Sequence, residues 1–172
     1  KEDGILVQWL PLHLVGREDA RSITQTFNNV FPKSSVWNSF LTRIVLLVGS
    51  REKINIDKNL FDTKLKSPEL KKVAEEMKVM SFLDFADFFI TDSNHLSNFL
   101  KNAKEISDDQ PALEFSPVSL LPPLKWEIDE IFLNMLRYRI NHNPPVTGMS
   151  LQEDYCLFDN VTYSKKPHLS PI

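Results

Sequence analysis

The sequence predicts an α/β fold that continues into a helical extension. Two apolar patterns carry that expectation. Between residues 5 and 50, runs of strand length flank one segment of helical periodicity. After residue 57, apolar residues recur mostly at helical spacing. A chain of 172 residues has room for one domain, or one domain with an extension. Its 42% hydrophobic and 25% charged residues are ordinary for a globular chain. Twelve Phe and three Trp supply material for a sizeable core.

Residues 5–10 form a short apolar run after Gly4, interrupted by Gln8 and closed by Pro11, and read as a buried strand. Over residues 17–31, Ala20, Ile23, Phe27, Val30 and Phe31 fall at helical spacing. Arg17, Glu18, Asp19, Arg21 and Gln25 take the other face, and Pro32 stops the helix. Residues 35–41 and 43–49 are strand candidates, the second rich in Val and Leu. The link between them is so short that the pair must be antiparallel.

Ser67-Pro68 is a helix start, with Leu70, Val73, Ala74 and Met77 as its stripe. Ser81 caps a Phe-rich helix through Phe82, Phe85, Ala86 and Phe89, with Asp84 placed for a capping box. Thr91 or Asp92 is expected to start another helix, with Leu96, Phe99, Leu100 and Ala103 inward. Residues 107–117 read as a polar turn and a short extended piece. Pro122-Pro123 leads into a helix over 124–140 that turns Leu124, Ile128, Ile131, Phe132 and Met135 inward. Residues 146–172 lose periodicity and read as a loosely docked or mobile tail. The expected division is 1–56, 57–121 and 122–172.

Several function classes are disfavoured. A formal net charge of −3 leaves no basic footprint for nucleic acid. The single cysteine, Cys156, excludes an internal disulfide and a multi-cysteine metal site, a pattern typical of cytoplasmic proteins. The longest apolar run, residues 44–48, is too short to span a bilayer, and no secretory leader pattern opens the chain. Lys1-Glu2-Asp3-Gly4 reads instead as a helix end and a turn, as though a longer protein were cut upstream. The four glycines lie too far apart to form a phosphate- or nucleoside-cradling loop. His13, His95, His142 and His168 are scattered and read as structural or surface residues. No complete active site is expected, and no catalytic, cofactor-binding or metal-binding residue is nominated.

Lys1-Glu2-Asp3-Gly4-Ile5-Leu6-Val7-Gln8, continuing through Trp9-Leu10-Pro11-Leu12, resembles a stretch of the spermidine/spermine synthase (aminopropyltransferase) family. It is closest in style to bacterial spermidine-synthase-like proteins fused to a membrane region. Val30-Phe31-Pro32, Ser35-Val36-Trp37 and Leu46-Leu47-Val48-Gly49-Ser50 are similar to the same group. Ser107-Asp108-Asp109-Gln110-Pro111-Ala112-Leu113-Glu114-Phe115 resembles a segment near the end of that domain. Together these motifs span most of residues 1–117. The resemblance implies the C-terminal part of a Rossmann-like methyltransferase sheet: strand, helix, then an antiparallel strand pair. It also implies aminopropyl transfer from decarboxylated S-adenosylmethionine to a polyamine. The family's cofactor loop and catalytic Asp lie upstream of Lys1, so S-adenosylmethionine or its decarboxylated form is implied only for a longer protein. Two features depart from the pattern. Trp37-Asn38-Ser39-Phe40-Leu41-Thr42 stands where the family carries a Tyr that lines the polyamine site. The segment 57–103 is a helical insertion.

Gln8, Trp9 and Trp37 are the candidate substrate-binding residues. Ligands of open α/β sheets bind beyond the carboxyl ends of strands, near which Gln8 falls. Its amide can accept from an amine, or be satisfied by backbone in a core. Trp rings can face a cation or simply pack. Asp108 and Asp109 read as a solvated turn, and Glu114 as half of an ion pair with Arg43 or Lys125. Residues 64–78 read as a solvated charged helix face. Two functions follow: the substrate-side wall of a transferase, or a non-catalytic docking or regulatory module that keeps the fold. The apolar strand at residues 5–10 is too continuous for a solvated edge. It is expected to be completed by the upstream half of the same protein or by a homo-oligomer partner.

Overall fold

The structure is a computed structural model that describes residues 4–41, 43–109, 113, 116, 123–139 and 144–152. In chain order the elements are β1 (Leu6–Pro11), α1 (Arg17–Val30), β2 (Ser35–Asn38), β3 (Ile44–Gly49) and β4 (Ile56–Asp57). There follow α2 (Lys58–Leu65), α3 (Pro68–Glu76), α4 (Phe82–Ala86), β5 (Phe89–Asp92), α5 (Lys125–Leu136) and β6 (Val146–Thr147). A 3-10 turn, Arg137–Arg139, extends α5.

The fold is mixed α/β. Four strands form one sheet in the order β1-β3-β2-β5, each antiparallel to its neighbour. β1 and β2 therefore run parallel on either side of β3, joined through α1. Two hydrogen bonds set the phase of the ladder. The Leu12 amide donates to the Arg43 carbonyl at 2.9 Å, and the Ser39 amide to the Ile44 carbonyl at 3.2 Å. Backbone hydrogen-bonding direction alternates along an antiparallel strand. Gln8 and Leu10 thus direct their backbone groups at β3, while Val7 and Trp9 direct theirs away from it. Pro11 falls in the outward phase, where its missing N–H costs no ladder bond. Among the described residues, no strand pairs with that outer edge of β1.

One face of the sheet carries the main core. Leu10, Val36, Val45, Leu47 and Ile90 pack there with Ala20 and Phe27 of α1 and with Ile128, Ile131, Phe132 and Met135 of α5. Burying each large aliphatic or aromatic side chain stabilises by about 1.5–3 kcal/mol. Gly49 lets α1 approach: an added Cβ would lie 2.7 Å from side-chain atoms of Phe27 and Phe31. Arg21 ties α1 to the 93–106 segment by donating to the carbonyls of Phe99, at 2.8 Å, and Lys101. Arg17 reaches Glu130 of α5 at 3.1 Å.

The other grouping is a satellite cluster under the insertion. Phe82 and Ala86 are buried, with Ile56, Phe61, Leu83, Phe85, Val146 and Met149 packed against them. The expected capping box forms: Ser81 Oγ accepts from the Asp84 amide at 3.2 Å, and Asp84 accepts from the Ser81 amide at 2.8 Å. Ser67 caps α3 as its sequence predicts.

Five expectations need correction. The strand at residues 5–10 forms but is not buried: Ile5, Leu6, Val7, Gln8 and Trp9 are exposed, because no described element covers them. Residues 39–41 leave β2, because the chain turns early through Arg43 at φ 64°. The helix expected from Thr91 or Asp92 does not form. Residues 89–92 are β5, paired with β2 across a bulge, and Asp92 instead accepts from the Asn94 and His95 amides in a turn. The insertion is therefore not helical throughout. Leu70 and Val73 on α3 are exposed, so its apolar stripe buries Ala74 alone. At the head of α5, Leu124 is the exposed N-cap residue and not part of the inward stripe. The start of the tail is docked, one of its two expected states: Val146 and Thr147 pair in parallel with Ile56 and Asp57. Residues 153–172 lie outside the described part, as do Gln110 to Ala112, Glu114 and Phe115 of the motif near the end of the domain.

Candidate functional site

β1 and β2 run in the same direction, so their carboxyl ends share one end of the sheet. Ligands of open α/β folds bind at such an end. The strand register sorts the candidate residues into two rows. Trp9, Leu46, Trp37 and Phe89 lie abreast on one face. Gln8, Leu47, Val36 and Thr91 lie abreast on the other, because successive side chains alternate. The structure therefore brings Trp9 and Trp37 to a common face, one strand apart, and puts Gln8 on the opposite one.

The two tryptophans differ sharply. Trp37 is 8% exposed. Its Nε1 donates to Ser35 Oγ at 2.9 Å. Its ring is flanked by Phe85 and Phe89, with centroids 5.3 and 5.2 Å away. Phe85 leans in turn on Phe61, 4.9 Å away. Trp9 is 62% exposed and Gln8 is also exposed. Trp37 thus packs as a core residue with a satisfied N–H, while Trp9 offers an open ring face. A cation can sit over such a face.

Two polar groups stand out that the sequence reading passed over. His13, in the turn just beyond the carboxyl end of β1, has a buried Nδ1 with no hydrogen-bond partner among the described residues. Thr91 Oγ1, in the row that contains Gln8, is in the same state. Unsatisfied buried polar atoms are uncommon and mark places to examine. The sequence signal for His13 was its position directly after the strand-ending Pro11-Leu12. Elsewhere, His95 Nδ1 lies 2.6 Å from Asp92 Oδ1, a contact that helps fix the turn after β5. Asp108 and Asp109 are exposed, as expected of a solvated turn.

Neither Gly49 nor Gly148 cradles an adenosyl-sulfonium cofactor. Gly49 is filled by Phe27 and Phe31, and Gly148 packs against Asn59, so neither backs an open cradle. No group of three or more His, Cys, Asp or Glu among the described residues is arranged to hold a metal. An open cleft of about 650 Å³ lies between α2, α3 and α4, lined by Lys58, Asp62, Ala74, Val79 and Phe82 among others. None of Gln8, Trp9 and Trp37 lines it. No described helix is long and apolar enough to cross a membrane.

Comparison with family models, curated proteins and solved structures returns no match.

Proposed function

We propose that this chain forms the substrate-side wall of a spermidine-synthase-like transferase. In this reading, as the resemblance implies, the cofactor loop and catalytic acid come from outside it. The observation that carries the reading is the arrangement of β1, α1, β2 and β3: a strand, a helix on one face, and an antiparallel pair in one sheet. The family resemblance implies that order. The open edge of β1 supports it further. β1 is apolar on both faces and no described strand pairs with its outward backbone groups, as in a strand meant for the interior of a larger sheet.

In this reading Trp9 meets the substrate. A polyamine is a row of ammonium groups joined by methylenes, and an open indole face suits both parts. Gln8 contributes an amide on the other side of the same edge strand. Trp37, flanked by Phe85 and Phe89 in the arrangement described, supports the row from within the core. The segment 37–42 lacks the family's Tyr, so the polyamine need not be the family's usual one.

A second reading, a non-catalytic docking or regulatory module, has one observation in its favour. Gln8 and the two tryptophans do not converge on one wall. The test is an aminopropyl-transfer assay on the full polypeptide that carries this chain, with putrescine and spermidine as acceptors. Turnover that falls on Trp9→Ala, chiefly through a raised KM, supports the transferase. A full polypeptide that neither binds decarboxylated S-adenosylmethionine nor turns over leaves the docking module.

A further inference from the structure

Trp37 is covered by a chain of contacts that ends on the C-terminal strap. Phe85 of α4 lies 5.3 Å from Trp37, Phe61 of α2 lies 4.9 Å from Phe85, and Phe82 lies 5.3 Å from Phe61. Val146 and Met149 pack against Phe82 and Ala86, the same buried pair on which Phe61 and Phe85 pack. The strap that bears them is held by a two-residue parallel ladder to β4 and by the Ile56 amide, which donates to the Pro145 carbonyl at 2.8 Å. It turns at Gly148, at φ 80°, where an added Cβ would meet Asn59 of α2 at 2.8 Å. Asp57, at the end of β4, also caps α2 through the Asn59 and Leu60 amides.

The strap is thus joined to the start of α2 and to the rings that cover Trp37. It differs in tethering from the sheet beneath. In the strap Pro144 alone is buried, Val146 and Met149 are half-buried and residues 147, 148 and 150 are exposed, whereas Val36, Val45 and Leu47 are all buried in the main sheet. Segments with few buried contacts open at lower free energy than the core. Met is unbranched and adapts readily to partial undocking.

We propose that residues 144–150 are an autoinhibitory latch on the Trp37 side of the site. While they are docked, Phe85, backed by Phe61, covers the Trp37 ring on the side away from Phe89, and the row offers Trp9 alone. When they lift, α2 loses its tie to β6, the Phe61–Phe85 pair loosens, and Trp37 joins Trp9 as an open face. The ligand class admitted, a flexible aliphatic cation, rests on the transferase reading. The latch itself does not.

The test isolates Trp37 by replacing the exposed Trp9 and Trp126 with Phe. Acrylamide quenching and emission wavelength are then compared with and without Val146→Ser and Met149→Ser. The expected result is several-fold stronger quenching and a red shift, with amide protection at Val45 and Leu47 retained. Unchanged quenching in a variant whose Ile56 amide has lost protection overturns the latch. Should the double variant unfold throughout, the parent protein decides the matter in sub-denaturing urea. There, Ile56 exchange and Trp37 quenching are expected to rise together before the global transition. A Trp37 shielded until that transition overturns the proposal. Spermidine titrated into the otherwise native latch variant tests the other reading separately. With Trp37 shown to be open, absent binding removes the polyamine and leaves the latch standing.

Discussion

Trp9 and Trp37 flank the same residue, Leu46, on the same face of the sheet, yet one is open to solvent and the other is buried. The strands that carry them differ in the same way. β2 has β3 on one side and β5 on the other, and Phe85 and Phe89 over its Trp. β1 has β3 on one side and no described strand on the other, with Leu6, Val7 and Trp9 exposed. Local sequence does not explain the difference, since β1 is as apolar as β2. What differs is cover: the insertion supplies β5 and α4 to the β2 side, and no described residue does the same for β1. Described residues finish one half of the sheet and not the other.

The largest effect expected from that contrast is on stability. Trp37→Ala should cost about 3–5 kcal/mol by urea denaturation, because it empties a packed aromatic site. Trp9→Ala should stay within about 0.5 kcal/mol, as for an exposed side chain. Equal costs would remove the asymmetry. Gly49→Ala comes next, at about 1–3 kcal/mol, because its Cβ must displace Phe27 and Phe31 of α1 from the finished half. An unchanged midpoint would mean that α1 sits further from β3 than described. Ser81→Ala should cost about 1 kcal/mol by removing one half of the cap on α4. If the cover over β2 depends on α4, Trp37 emission should shift red in the same variant. The smallest effect on folding is expected from Val7→Lys, a change of under about 0.5 kcal/mol. Its signature lies elsewhere. A charge on an apolar edge blocks strand pairing, so any concentration-dependent rise in solution mass should fall. Unaltered association would place the contact away from β1.

The sequence was most legible where one physical signal acted alone. Gly4 and Pro11 bracket β1, and Gly16 and Pro32 bracket α1, whose apolar spacing is regular. The short link at residues 39–43 could only join antiparallel strands. Ser67-Pro68 and Ser81 with Asp84 marked helix starts that the structure keeps. β5 was hidden because Phe82, Phe85 and Phe89 fall at helical spacing, and that periodicity ran on into a strand. Pairing with Val36 and Trp37 outweighed it. On α3, Leu70 and Val73 looked inward by pattern, but no described element covers them. The site was partly legible. The bare apolar edge was an expected feature, but the exposure of Trp9 was not, since a ring in an apolar strand reads at least as well as a packing residue. The separation of Gln8 from Trp9 follows from strand alternation and was readable in principle. The packing of Trp37 was one of its two readings, but its partners Phe85 and Phe89, some fifty residues away in the chain, were not readable. The unpartnered Nδ1 of His13 depends on tertiary surroundings that its neighbours in sequence do not encode.

Residue-resolved amide exchange along β1, in the 172-residue chain at low concentration, tests the unfinished edge most directly. Gln8 and Leu10 should be protected by their bonds to β3, while Val7 and Trp9, pointing outward, should exchange at near-unprotected rates. In the full polypeptide of the transferase reading, Val7 and Trp9 should become protected as well. Uniform protection of all four amides in the dilute 172-residue monomer would contradict the open edge, and with it the reading of this chain as one side of a larger sheet.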